Sequence, residues 1–390
     1  MTKQNTEMTK KKTPGVPEQR ATRALFFAGG FATASWAPLV PYLKARLGIG
    51  EDILGMLLLC IGIGSLLTMP LSGAAATRYG CRRVLTVACL MECVCLVILA
   101  QVSSLPLTIV TLLVFGAFMG CLDVVVNVEA VIVEKAAGRR LMSGMHGFWS
   151  VGGFAGAAAF GLWVGTLDLT PMQSTAIAIG IVCGTLAFFY RHLLPYGGTP
   201  GGALIAIPRG IVIFIGLITM IAFLIEGAIM DWGAVFLHDM RGFDLSVASS
   251  GFAIFSFAML TMRLFGDRTV TRFGQKPVVL GGALLALAGF LLLIFAPLRP
   301  LVLAGFFIIG VGSANIVPVF YSLLGRQKVM PISLAVPAVS TLGYLGVLMG
   351  PATIGFLAHV TSLTAAFGFL ATLVFLEGCI AAYVYHKIDA

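Results

Sequence analysis

Charge is what this sequence has least of. Asp, Glu, Lys and Arg together make up 11% of its 390 residues, and only 16 residues are acidic. A soluble domain carries about 25% charge. A chain this poor in charge cannot cover a water-facing surface, so its apolar surface must face lipid. Catalytic signatures are missing as well. There is no P-loop, no HExxH and no GxSxG, which leaves no support for an enzyme, a cofactor or ATP drive. The eight cysteines form no CxxC and have no His at ligand spacing. They read as small packing residues, and no metal site is expected.

What is present is hydrocarbon. Hydrophobic residues make up 59% of the chain, and mean hydropathy is +1.01. A bilayer-crossing helix needs about 20 apolar residues. Twelve stretches qualify: 21–43, 53–75, 84–102, 107–132, 143–165, 173–190, 212–237, 246–265, 277–295, 301–323, 332–357 and 364–385. The apolar runs are continuous rather than alternating, which favours helices over a barrel. Residues 1–20 are polar and Lys-rich and read as a disordered cytoplasmic tail without a signal-peptide core. With the N-terminus in the cytoplasm and twelve crossings, all but four of the 25 Lys and Arg lie inside. The four are Lys44, Arg46, Arg241 and Arg299. The positive-inside rule selects this orientation, with both termini cytoplasmic. Topology, with some attraction to anionic lipid, then accounts for the +9 net charge, and no nucleic-acid partner is needed.

The halves of the chain repeat. Thr68-Met69-Pro70-Leu71-Ser72-Gly73 returns as Thr261-Met262-Arg263-Leu264-Phe265-Gly266, and Arg78-Tyr79-Gly80 as Arg272-Phe273-Gly274. Gly120-x-x-Asp123 returns as Gly312-x-x-Asn315, and Ser150-x-x-Gly153 as Ser340-x-x-Gly343. Trp36 and Trp232 also correspond. The period covers six helices, an even number, so the halves share one orientation. The expected fold is an all-α membrane protein of twelve transmembrane helices in two parallel-repeat bundles, 21–190 and 211–390. The Gly- and Pro-rich stretch 191–210 joins them as a flexible cytoplasmic linker.

Over residues 21–390 the sequence resembles the major facilitator superfamily. The basic loop from Gly73 through Thr77, Arg78, Tyr79 and Gly80 to Arg82 and Arg83 is similar to that family's signature between helices 2 and 3. The family places Asp where Thr77 stands. The resemblance implies an inter-bundle gate on the cytoplasmic side, with candidates Arg78, Arg82, Arg83, Glu134, Asp267, Arg268 and Arg272. Ala34-Ser35-Trp36, Asp123-x-x-x-Asn127-x-Glu129, His146-Gly147-Phe148-x-Ser150, Glu226-x-x-x-x-Asp231-Trp232 and Gly343-Tyr344 resemble a bacterial inner-membrane subgroup, the YbjJ-like proteins and MosC-like rhizopine permeases. That resemblance implies a small polar solute, since rhizopines are inositol amines.

Acids inside hydrocarbon are the informative positions, because each costs about 2.5–3.5 kcal/mol on insertion scales. They are Glu92, Asp123, Glu129, Glu226 and Glu377, and no Lys or Arg reads as buried beside them. Glu226 lies mid-span on a helix that lines the pore in the resembling family. It reads either as a proton carrier or as a neutral acid bonded to backbone. Gly116, Gly120, Asp123 and Asn127 share one helical stripe, so Asp123 and Asn127, with Asn315 from the other half, are candidates to bind solute. The alternative is an interhelical hydrogen bond. Glu129 and His146 are expected at similar depth, as a proton relay or a static pair. Glu92 and Glu377 read as structural. Trp36, Trp149, Asp231, Trp232, Tyr321 and Tyr344 complete the candidate solute contacts.

The function read from this is proton-coupled symport of a small polar organic solute by a monomer in the bacterial inner membrane. Proton-driven efflux of amphipathic compounds by the same fold, and a non-transporting membrane sensor, are the alternatives.

Overall fold

The computed structural model describes residues 13–198, 205–248 and 250–389, and among these it contains helices and no strand. Twelve long helical segments run through the described residues. The first six are α1 (Val16–Leu47), α2 (Ile53–Tyr79), α3 (Cys81–Leu99), α4 (Leu105–Ala137), α5 (Met142–Gly165) and α6 (Pro171–His192). The second six are α7 (Ile211–Met240), α8 (Ser250–Phe273), α9 (Gln275–Phe295), α10 (Arg299–Leu324), α11 (Ile332–Val360) and α12 (Leu363–Ile388). Ten are long and apolar enough to cross a membrane. The other two, α3 and α8, carry charge: Arg82, Arg83 and Glu92 on α3, and Arg263, Asp267, Arg268 and Arg272 on α8. Large apolar side chains such as Leu67, Phe188, Phe295 and Phe356 stand out from the outer surface, as a lipid-facing wall requires.

The six-helix period governs the packing. Within the first bundle α1 lies on α5 and α2 on α4; within the second, α7 lies on α11 and α8 on α10. Glycines at repeat-equivalent positions set these approaches. A Cβ on Gly156 of α5 would overlap the Phe31 carbonyl oxygen of α1, and one on Gly346 of α11 would overlap Met220 O of α7. Close backbone contact of this kind is the usual currency of helix association in lipid, where hydrophobicity does not discriminate. The bundles meet through two further pairs, α2 with α11 and α5 with α8. At the first, Gly73 lies so close to Ser333 O that no side chain fits between them.

Helix breaks follow the prolines. α1 is interrupted by a 3-10 turn, Ala37–Leu39, beside Pro38 and Pro41, and α10 between Arg299–Ser313 and Ile316–Leu324. Pro has no N–H to donate and leaves the carbonyl four residues earlier unpaired.

Two of the four cations on the far side of the expected topology have a structural reason. Arg46 donates to the carbonyls of Leu99, Ala100 and Val102 (2.6, 2.7 and 2.7 Å), at the C-terminus of α3. Arg241 donates to Ile294 O and Ala296 O, at the end of α9. Each guanidinium satisfies carbonyls that the helix end leaves free and faces the negative end of the helix dipole.

Two expected boundaries change. Val16–Arg20, read as tail, form the first turn of α1; Pro17 suits the first turn, and the Glu18 carboxylate accepts from Gly15 N at 2.7 Å. Residues 1–12 lie outside the described residues. The stretch 191–210, read as a flexible linker, is docked where it is described. Arg82 N donates to Leu194 O (2.8 Å) and Ala206 N to Pro70 O (3.2 Å), while Gly80 and Gly197 let the two backbones touch. Residues 199–204 lie outside the described residues.

Candidate functional site

Between the bundles lies a cavity of about 280 Å³. Its wall from the first bundle is built by Phe26 and Thr33 of α1, Met119 and Asp123 of α4, and His146 and Trp149 of α5. The second bundle supplies Glu226 and Met230 of α7, Phe252 and Arg263 of α8, Tyr321 of α10, and Tyr344 of α11.

Two polar groups face each other there. In the first bundle, Asn127 Nδ2 donates to the backbone oxygen of Asp123 (2.9 Å) and to its carboxylate (3.3 Å), and His146 Nε2 lies 3.1 Å from Asn127 Oδ1. With Asn127 wholly buried, this chain ties α4 to α5 and turns Asp123 towards the cavity. His146 sits between Phe26 and Tyr321, tilted to both rings, with centroids at 5.4 and 5.6 Å. In the second bundle, Arg263 Nη2 lies 3.4 Å from Glu226 Oε2. Its Nε donates to Ala314 O at 3.3 Å. Ala314 is four residues before Pro318, so the helix itself cannot use that carbonyl. Arg263 Nη1 donates to Ser150 Oγ at 3.1 Å, across the bundle boundary. Ser340, the repeat equivalent of Ser150, hydrogen-bonds Tyr321 at 2.5 Å.

One end of the cavity is shut. At the end of the molecule where α1 begins and α12 ends, Asp267 of α8 accepts from the backbone N–H groups of Ser143 and Gly144, both at 3.0 Å, at the N-terminus of α5. Arg23 of α1 stands 4.0 Å from the same carboxylate. Glu134, at the end of α4, accepts from Leu141 N and Met142 N at 2.8 Å each and from Ser322 of α10. Two carboxylates, one from each bundle, thus occupy one helix N-terminus, where free N–H groups and the dipole favour negative charge.

Measured against the sequence reading, the cavity brings together Glu226, Asp123, His146, Trp149, Tyr321 and Tyr344, with Asn127 directly behind. Other candidates lie elsewhere. Trp36 is buried against Phe115 (6.3 Å) in the first bundle. Trp232 donates to Pro351 O at 3.1 Å. Asp231, one residue further from the cavity-lining Met230, is exposed. Asn315 is 4% exposed and turned to Met262 O of α8. Glu129 and His146 do not pair: Glu129 accepts from Thr22 Oγ1 (3.2 Å) and Leu194 N (3.3 Å). Two residues along a helix is about 200° of rotation, so Glu129 and the His146-bound Asn127 leave α4 on opposite sides. Among the gate candidates, Glu134 and Asp267 bridge the bundles. Arg82 instead binds Arg191 O in the last turn of α6 and Leu193 O just after it, and Arg78, Arg83, Arg268 and Arg272 are exposed. Glu92 and Glu377 are buried on α3 and α12, away from the cavity lining.

The sequence reading missed Arg263, which is 8% exposed and contradicts the expectation of acids without a basic neighbour. Its signal was visible: the residue follows the apolar run of α8 and replaces Pro70 of the first repeat. The nearby Asp267, Arg268 and Arg272 made it read as part of a helix-end charge group.

A cavity between two repeat-related six-helix bundles, lined by carboxylates, an arginine and aromatic rings, defines a membrane transporter. The chain belongs to the Major Facilitator Superfamily, whose sequence profile matches residues 24–327. It is similar to an uncharacterized MFS-type transporter of Yersinia pestis, 45% identical over 363 residues that span 92% of this chain and 94% of that one. It is also similar to MosC, a membrane protein of Rhizobium meliloti, 28% identical over 360 residues spanning 92% and 88% of the two chains, in keeping with the resemblance to the MosC-like subgroup. Its fold matches the E. coli fucose:proton symporter FucP with a TM-score of 0.80 at 16% identity, covering 95% of this chain and 98% of that one.

Proposed function

We propose that this transporter takes up a small polar organic solute, a sugar, polyol or amine, by alternating access coupled to proton entry. The observation that carries the proposal is the inter-bundle chain Glu226–Arg263–Ser150 at the cavity wall. An ionised Glu226 holds Arg263 by charge; a protonated one releases it to a solute hydroxyl or to Ser150. Loading of solute and proton then shift the same guanidinium, which couples the two. Asp123 on the facing wall supplies a second acceptor, and Trp149, Tyr321 and Tyr344 offer ring faces for a sugar or an organic cation. One proton moving through 100 mV carries about 2.3 kcal/mol, enough for roughly fiftyfold accumulation.

In this reading the end where α1 begins and α12 ends is cytoplasmic, because the Lys and Arg of the loops collect there. The membrane is the bacterial inner membrane, and the transporting unit is a monomer. A fucose:proton symporter among proteins of the same fold suits the proposal.

The test is a thermal-shift screen against sugars, polyols, amines and drugs, followed by uptake of any hit into proteoliposomes with and without a pH gradient. Gradient-dependent accumulation of a polar hit is the expected result. Accumulation that ignores the gradient would remove proton coupling, and hits confined to amphipathic drugs would point to efflux.

A further inference from the structure

The chain that leaves α6 is fastened to the first bundle before it crosses to the second. α3 begins at Cys81, and the first N–H groups of a helix have no acceptor within it. The linker supplies acceptors. Arg82 N donates to Leu194 O at 2.8 Å, and Cys81 N to Tyr196 O at 3.5 Å. The Arg82 side chain donates to Leu193 O at 2.9 Å, and the buried Glu129 accepts from Leu194 N at 3.3 Å. Two glycines permit the fit. Gly80 has φ +82°, and a Cβ there would lie 2.2 Å from Pro195 O; one on Gly197 would lie 2.5 Å from Ala76 O. By these contacts Leu193–Gly197 is part of the first bundle.

The residue that follows meets the second bundle. Gly198 lies between Thr77 of α2 and Ser333 of α11. A Cβ on it would be 2.8 Å from Ser333 Cβ, Ser333 Oγ and Thr77 Oγ1 alike. Ser333 is 4% exposed, and its Cβ moves only with α11. Thr77 Oγ1 is held by its bond to Gly73 O at 2.9 Å, one turn back along α2. Gly73 is itself pressed against Ser333 O. The start of α11 therefore meets α2 at Gly73 and the linker at Gly198. Gly198 does not have a positive φ, so alanine suits its backbone. What excludes a side chain there is space alone.

We propose that Leu193–Gly198 is the first bundle's stop for α11. Closure at this end halts where Ser333 meets Gly198, and the volume of residue 198 sets how far the bundles close. The linker then acts on the conformational equilibrium as well as joining the halves. A packed contact resists even one added methyl group. A Cβ at 198 thus costs the closed state and spares a state in which the start of α11 has moved away from α2. Gly198 is a positioning residue in this role. The role depends neither on the identity of the solute nor on proton coupling.

The experiment uses the full-length chain in nanodiscs, with spin labels at Arg78 and Lys328, both exposed. The labels are attached through an encoded non-natural amino acid, so that the eight cysteines stay in place. Gly198→Ala should lower the short-distance population at least about fivefold, and Gly198→Val further. Adding Ser333→Gly, which removes Ser333 Cβ and Oγ, should restore the short distance in Gly198→Ala. Gly197→Ala presses on Ala76 within the first bundle; it should lower the melting temperature and leave the distances unchanged. Ser333→Val enlarges the same contact from α11, should give the same shift, and serves if Gly198→Ala does not fold. An unchanged distribution in Gly198→Ala, or in Ser333→Val where that variant stands in, overturns the proposal. So does an equal shift in Gly197→Ala, or a failure of Ser333→Gly to restore the short distance.

Discussion

Arg263 and Glu226 lie 3.4 Å apart on adjacent helices of the second bundle, and the same guanidinium reaches Ser150 of the first. One side chain thus reads the charge of the cavity acid and bridges the bundle boundary.

Glu226→Gln should abolish accumulation driven by a pH gradient while leaving solute exchange measurable in counterflow. Intact gradient-driven uptake in this variant would remove Glu226 as the proton carrier. Arg263→Gln removes the donor to the buried Ala314 carbonyl and the partner of the partly exposed Glu226, and should lower stability by about 1–3 kcal/mol. The double variant should recover part of that loss. Additive melting-temperature changes would mean the two groups do not interact.

Asp267→Asn keeps an acceptor at the α5 N-terminus but removes the charge that the dipole favours. The population closed at the end where α1 begins and α12 ends should fall about threefold to tenfold, read as spin-label distances across the α5–α8 contact. An unchanged distance distribution would show that this carboxylate does not hold the bundles together.

Gly152→Ala puts a Cβ against the Phe27 carbonyl oxygen, and a backbone atom cannot swing aside. A loss of at least about 1–3 kcal/mol is expected. Gly161→Ala, on the same helix with open space around it, should be neutral or stabilising. Equal melting temperatures for the two variants would contradict the packing described for α1 and α5.

Glu92 is wholly buried, and neither of its carboxyl oxygens has a hydrogen-bond partner among the described residues. Glu92→Leu should therefore raise stability by about 1–3 kcal/mol and leave transport intact. Lower uptake at unchanged expression would assign the acid a role in transport.

Much of the architecture was legible because it is written in periods. Lipid demands long apolar runs, and the offset between Ser150 and Ser340 or Gly120 and Gly312 carries the duplication. The cavity acids Asp123 and Glu226 were legible because a carboxyl group in an apolar run needs a reason. What stayed hidden depends on rotation and on distant partners. Glu129 and Asn127 are two residues apart but face opposite ways, which depth alone does not reveal. Asn315 matches Asp123 in register, yet it sits in a break in α10 that turns it to α8. Arg82 resembled a gate residue, but its acceptors Arg191 O and Leu193 O lie more than a hundred residues away, in a segment with no hydrophobic pattern.

Two of the contacts that join the bundles are counterparts in the repeat but not in kind. Gly73 presses backbone on backbone at Ser333, while Asp267 holds Ser143 and Gly144 through a charge. The first leaves no room for a side chain between the two backbones. The second is close as well, with Gly266 against Ser143, but adds a charged hydrogen-bond pair. Of two joints related by the repeat, one rests on backbone packing and the other adds a charge through which ionic conditions can act.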